Sequence, residues 1–260
     1  MASRPRATMG ETDAMTDEPI LLSEDTDGVR LLTLNRPRQM NALSAALVAE
    51  ILAAVDAADA DDAIAVIVMA GTERAFSAGA DLKEAEANRN LDAAAARRHG
   101  EASGLLYAIN DRTDKPIIAA VRGYALGGGC NLAISADMVV AGEGAIFGYP
   151  EVKRGIAATA VTPGLVHRIA PKAAFELMTL CENVPAPRAL ALGMINRVVA
   201  DDAVLDEAMA MARTLAGFDR QALLATKRVF RKSTELSLPQ SLAMAQEMAL
   251  LVRANKRADG

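Results

Sequence analysis

The chain has 260 residues and a formal net charge of −5, and 52% of it is hydrophobic although only 3% is aromatic. That size and composition support one large domain, or one domain plus an appendage, with a core of Ala, Val, Leu, Ile and Met. The acidic balance, without a basic block, argues against a nucleic-acid surface. No run of ~18 apolar residues marks a membrane-spanning helix. Cys130 and Cys181 form no CxxC pair and fit a reducing compartment, so a cytoplasmic location is expected.

Residues 1–18 hold Pro5, Gly10 and four acids, without the apolar stretch of a secretory signal, and read as a flexible tail. Residues 29–35 are β-like, and Pro37 breaks the segment that follows. Ser44 is a helix cap, and Leu47, Ile51, Val55 and Ala58 repeat at helical spacing until Asp59, Asp61 and Asp62. Residues 63–70 form a continuous apolar run, the pattern of a strand buried on both faces. Residues 74–84, RAFSAGADLKE, lead from a strand through small residues into a helix start. Helix is expected over 91–112, strand over 138–141, one or two helices over 160–181, and helix, Gly stop and short strand over 186–199. From 201 onward the pattern is helical, at 202–216, 219–232 and 239–256. Strands alternating with helices, then a helical C-terminal part, indicate an α/β core over 19–200 and a helical region over 201–260.

The stretch 115–137, KPIIAAVRGYALGGGCNLAISAD, carries the strongest chemical signal. A buried strand, Ile117 to Val121, runs into Gly123, Gly127, Gly128 and Gly129, and a short helix is expected over Cys130 to Ala136. Three glycines in a row allow close backbone approach and positive φ. A helix N-terminus there aims N–H groups and partial positive charge into the same space, so the stretch reads as an oxyanion or anion site.

FSAGADLKE at 76–84 and GYALGGGCNLAISAD at 123–137 resemble the crotonase, or enoyl-CoA hydratase/isomerase, family. LNRPRQMNALS at 34–44, FGYPEVKRG at 147–155, ALALGMINRVV at 189–199 and ATKRVF at 225–230 extend the resemblance from about residue 20 to the C-terminus. It implies a spiral of ββα units making two roughly perpendicular sheets, with C-terminal helices that build a homotrimer or a dimer of trimers. It implies an acyl-CoA thioester as substrate, with no cofactor beyond the coenzyme A of that substrate. The amides of Ala80 and Gly128 would hold the thioester oxygen. Ala78, Asp81, Leu82 and Lys83 would line the coenzyme A channel, Lys227 would reach the phosphates, and 84–104 would cover the acyl pocket.

Hydratases of this family use two glutamates. The second is present as Glu151, and the first position holds Asn131, which can hydrogen-bond but cannot exchange a proton. The glycine-rich loop common downstream is Ala158-Thr159-Ala160-Val161-Thr162 here. Glu151 is therefore expected to act alone as acid and base, with Asn131 as a positioning residue. Hydratase-type chemistry is the primary expectation. The alternatives are a double-bond isomerase without hydratase activity, a low-turnover acyl-CoA-binding homologue, and a thioester hydrolase or decarboxylase on the same scaffold. Asp81 also suits a helix cap, and Cys130 a small buried residue. His99 and His167 stand apart, and no metal-ligand spacing is visible.

Overall fold

A computed structural model describes residues 18–88 and 92–258 of the chain, so nearly all of the expected N-terminal tail lies outside the described residues. The hydroxyl of Ser44 accepts from the amide of Leu47 at 3.3 Å and caps helix α1, Ala45–Ala60. At the other end of α1 the buried ammonium of Lys115 donates to the carbonyls of Ala58 and Asp61. A cation on the last turn satisfies carbonyls that have no partner within the helix.

Six strands form the larger sheet: β1 (Leu21–Thr26), β2 (Val29–Leu34), β3 (Val66–Ala70), β5 (Ile117–Val121), β7 (Met138–Gly142) and β10 (Arg197–Val199), in the order β1-β2-β3-β5-β7-β10. Only the β1–β2 pair is antiparallel. A smaller sheet has the order β4-β6-β8-β9, from Ala75–Ser77, Tyr124–Leu126, Ile146–Gly148 and Val184–Pro185. Between them the chain repeats one plan. A strand enters the large sheet, the next enters the small sheet, and a helix follows. β3, β4 and α2 (Leu82–Ala87) follow it, as do β5, β6 and α4 (Gly128–Ser135), and β7, β8 and α5 (Thr162–Val166). This is the ββα spiral expected from the motifs.

Strand periodicity decides which core each residue joins. Ile67, Met69, Ile117, Ala119 and Val121 face the main core with Leu47, Ile51 and Val55 of α1. Val66, Val68, Ile118 and Ala120 face the other way, onto Val204, Ala208 and Ala212 of α8 (Val204–Ala216). The continuous apolar runs are thus buried on both faces. α8 packs on the same sheet as the preceding elements, and α9 (Arg220–Ser233) and α10 (Leu238–Ala258) follow it. Strands β1, β6 and β9 were not anticipated, the last being the two residues Val184–Pro185. β1 is an antiparallel edge whose last four residues are exposed, and β6 is three residues between glycine turns, too short for any periodicity to show.

Candidate active site

The first wall begins at β4. Asn41, buried and at φ 53°, donates to the Ala75 carbonyl at 2.9 Å and accepts through its own carbonyl from the Ser77 hydroxyl at 2.8 Å. These bonds fix the turn Ala78-Gly79-Ala80. A parallel bridge joins Leu43 to Ala80: the Leu43 amide donates to the Gly79 carbonyl at 2.8 Å, and the Asp81 amide to the Leu43 carbonyl at 3.3 Å. That pattern turns the amide of Ala80 to the opposite side. Asp81 caps α2 through the amides of Lys83 and Glu84 and pairs with Arg36 at 2.9 Å.

The second wall is the turn from β6 into α4. Gly79 sits at φ 89°, and a β-carbon there would stand 2.6 Å from the Leu126 carbonyl, so the two turns lie against each other. Gly127 is the N-cap of α4 at φ 53°, ψ −122°, a conformation that favours glycine. Gly128 is the first helical residue, two positions earlier than the sequence pattern suggested. An amide in a helix's first turn has no carbonyl partner in that helix. A β-carbon on Gly129 would overlap the Ser77 carbonyl, so α4 rests directly on β4.

Glu151 closes the site from the third repeat. It follows Pro150 and starts a 3₁₀ turn, Val152–Arg154, with its carbonyl accepting from Arg154 and Ile156. Its Oε1 lies 2.6 Å from where a β-carbon on Gly127 would project, and its Oε2 is buried with no hydrogen-bond partner. Burial pushes the carboxyl above its usual range; a bond to its own backbone and the charge of Arg154 oppose that only in part. Between these walls lies a cavity of ≈ 160 Å³ that Ala80, Gly128, Glu151, Tyr107 and Val161 help to line.

The sequence model of the enoyl-CoA hydratase/isomerase family matches residues 24–258. The chain belongs to that family. The 2,3-dehydroadipyl-CoA hydratase of Escherichia coli is 38% identical to it over 229 residues, covering 88% of each protein. The mevalonyl-coenzyme A hydratase of Aspergillus fumigatus is 40% identical over 202 residues, covering 77% of this chain and 74% of that one. The crystal structure of an enoyl-CoA hydratase from Mycobacterium smegmatis superposes with a TM-score of 0.85 at 32% identity, over 90% of this chain and 91% of the other.

In this enoyl-CoA hydratase/isomerase family member, Ala78, Ala80, Leu82, Gly128 and Glu151 share the one cleft. Asp81, the cap of α2, and Lys83, in its first turn, lie beside it without lining it, and of the described residues at 84–104 none contributes to the lining. Asn131 lies behind the glycine turn. Its side-chain oxygen is 2.5 Å from where a β-carbon on Gly164 of α5 would stand, and both polar atoms of its amide are buried without a partner. The ammonium of Lys227 is turned inward, 2.7 Å from Asp137 and 2.7 Å from the Lys115 carbonyl. Burial pushes the Cys130 thiol up to about 12, which makes it a core residue without nucleophilic character. Among the described residues no three His, Cys, Asp or Glu side chains cluster as metal ligands, and no helix is long and apolar enough to cross a membrane.

Tyr107 and Arg154 are among the lining residues that the sequence reading did not single out. Arg154 was visible in principle. It lies three residues after Glu151, and side chains at i and i+3 eclipse on a 3₁₀ turn. Tyr107 ends α3 (Ala93–Tyr107) and approaches the site across the fold, and nothing in its local sequence signals that.

Proposed function

We propose that the chain acts on an α,β-unsaturated acyl-CoA thioester, with Glu151 as its single proton carrier. The observation that carries this reading is the Glu151 carboxylate over the Gly127–Gly128 turn, half-buried and with one oxygen unpartnered. The amides of Ala80 and Gly128 act as the two donors to the thioester oxygen. One such donor contributes about 3–4 kcal/mol to a developing oxyanion.

In hydration, the Glu151 carboxylate takes a proton from water as the water oxygen bonds to Cβ. The π electrons move to the thioester oxygen, and the enolate rests on the two amides. The enolate then collapses, Cα takes the proton back from Glu151, and one water has been added. The same parts perform a 1,3-proton shift on the β,γ-unsaturated isomer, in which Glu151 removes a proton from the saturated Cα and returns it at Cγ, leaving the double bond between Cα and Cβ. Asn131 favours this second reading, because its amide carries no exchangeable acid and packs on α5 instead of lining the cleft. The raised Glu151 carboxyl suits both reactions, since an acid–base group works best with its pKa nearer the working pH.

Phe230, Leu238, Leu242, Leu250 and Leu251 are exposed on α9 and α10, which supports assembly of these helices with further copies of the chain, as a homotrimer or a dimer of trimers. Sedimentation of the purified protein tests that.

The deciding experiment assays the protein on trans-2-enoyl-CoA and trans-3-enoyl-CoA side by side, with Glu151→Gln as control. Turnover of at least one ester, abolished in the variant while ester binding persists, is the expected result. Full activity of Glu151→Gln would sink the assignment.

A further inference from the structure

The cleft contains a hydroxyl that the two-amide arrangement leaves unused. Tyr107 is the last residue of α3, and its carbonyl accepts from the Ser135 hydroxyl at 2.7 Å, which fixes the end of α3 to α4. Its side chain crosses the first turn of α4. A β-carbon on Gly128 would overlap the Tyr107 hydroxyl, so the phenol lies directly beside the residue whose amide opens α4. Gly128, Glu151 and Tyr107 border the same cleft, and the hydroxyl makes no hydrogen bond to another described residue.

We propose that the Tyr107 hydroxyl is a third donor to the thioester oxygen, beside the amides of Ala80 and Gly128. This inference rests on the functional reading above and adds a residue to it.

Electrostatics favours a donor that keeps its proton. Burial, and then the charge of Glu151, push the phenol up to about 12. A phenolate next to the Glu151 carboxylate would place two negative charges at one site. The neutral phenol offers one O–H, and a donor fixed before the reaction needs no reorganisation as charge moves onto the oxygen. The absent side chain at Gly128 has a second consequence here: it leaves the space through which the hydroxyl reaches the oxygen.

A conjugated thioester such as 4-(dimethylamino)cinnamoyl-CoA tests the idea, because donors on its carbonyl oxygen shift its absorption to longer wavelength. The wild type is expected to shift the bound chromophore. Tyr107→Phe is expected to bind it with an affinity within about threefold, to lose part of the shift, and to lose roughly 100-fold in kcat. Fluorotyrosine at position 107, of the same shape but more acidic, is expected to enlarge the shift, which guards against a Phe variant that folds poorly. A shift unchanged by both replacements overturns the third donor and leaves the two amides standing. No shift in the wild type overturns the oxyanion reading itself.

Discussion

The Oε1 atom of Glu151 lies 2.6 Å from the point where a β-carbon on Gly127 would project. The proposed proton carrier therefore rests on a residue that has no side chain, one position before the proposed donor Gly128. Gly127 also holds φ 53° and ψ −122°, where an L residue is strained by about 1–3 kcal/mol. Gly127→Ala is expected to displace the carboxylate and cut kcat by at least tenfold, with a modest loss of thermal stability. Kinetics together with a melting curve check both effects. Unchanged kcat in a folded variant would show that Glu151 does not need its present seat.

The pH behaviour follows from the same carboxyl. Its proton is held more tightly in the folded chain than in the unfolded one, because burial disfavours the charge. Its favourable contribution to stability is present below the usual carboxylate pKa and is lost as pH rises through the raised value. Glu151→Gln is thus expected to melt higher than the wild type near neutral pH, and the gap should close in acid. For wild-type turnover, kcat/KM should rise with pH as Glu151 ionises, with its acid limb above the ordinary glutamate range. Arg154 lowers the carboxyl, so Arg154→Gln should move that limb to higher pH. A limb that stays in place would show that another group controls the profile.

Much of this was legible in the sequence, and the reason is local chemistry. The Ser44 cap, the apolar run of β3 and the glycines that open α4 are each written in consecutive residues; the cap lies where the pattern placed it, β3 occupies Val66–Ala70 of the expected 63–70, and α4 begins two residues early, at Gly128. Glu151, Ala80 and Gly128, which line the cleft, could be named from the sequence because motifs keep their spacing. What stayed hidden depends on contacts distant in sequence. Tyr107 meets Gly128 across 21 positions of chain, and Lys227 finds Asp137 across 90. The strands of the small sheet are two or three residues long and leave no periodic trace. The direction of the Asn131 side chain depends on where α5 docks, which no local pattern records.

Asn131 offers a test of its own. Its amide is fully buried, both polar atoms lack a partner, and it abuts Gly164. A buried polar group left unsatisfied costs about 1–3 kcal/mol, and replacing it with an apolar group of the same shape is neutral or stabilising. Asn131→Leu keeps the branching at Cγ. Its melting temperature is expected to equal or exceed that of the wild type, with kcat held within about threefold. A large fall in kcat with stability preserved would instead assign the amide a role in positioning substrate or water.

Lys227 separates a structural from a binding function most directly. Its ammonium is held by Asp137 and by the Lys115 carbonyl, and Lys115 in turn closes the end of α1. The pair is largely buried, with side-chain exposures of 6% for Lys227 and 16% for Asp137. Removing one partner strands the other charge in the interior, at a cost of about 3–5 kcal/mol. Lys227→Met is expected to lower stability by that order in a denaturant titration. The double variant Lys227→Met with Asp137→Asn should recover part of the loss, because no charge is then left unpaired. An ammonium held inward by these two bonds would have to break them to reach a phosphate of coenzyme A, so KM for a CoA ester should change little in the rescued double variant. A large rise in KM there would mean that Lys227 leaves Asp137 when substrate binds.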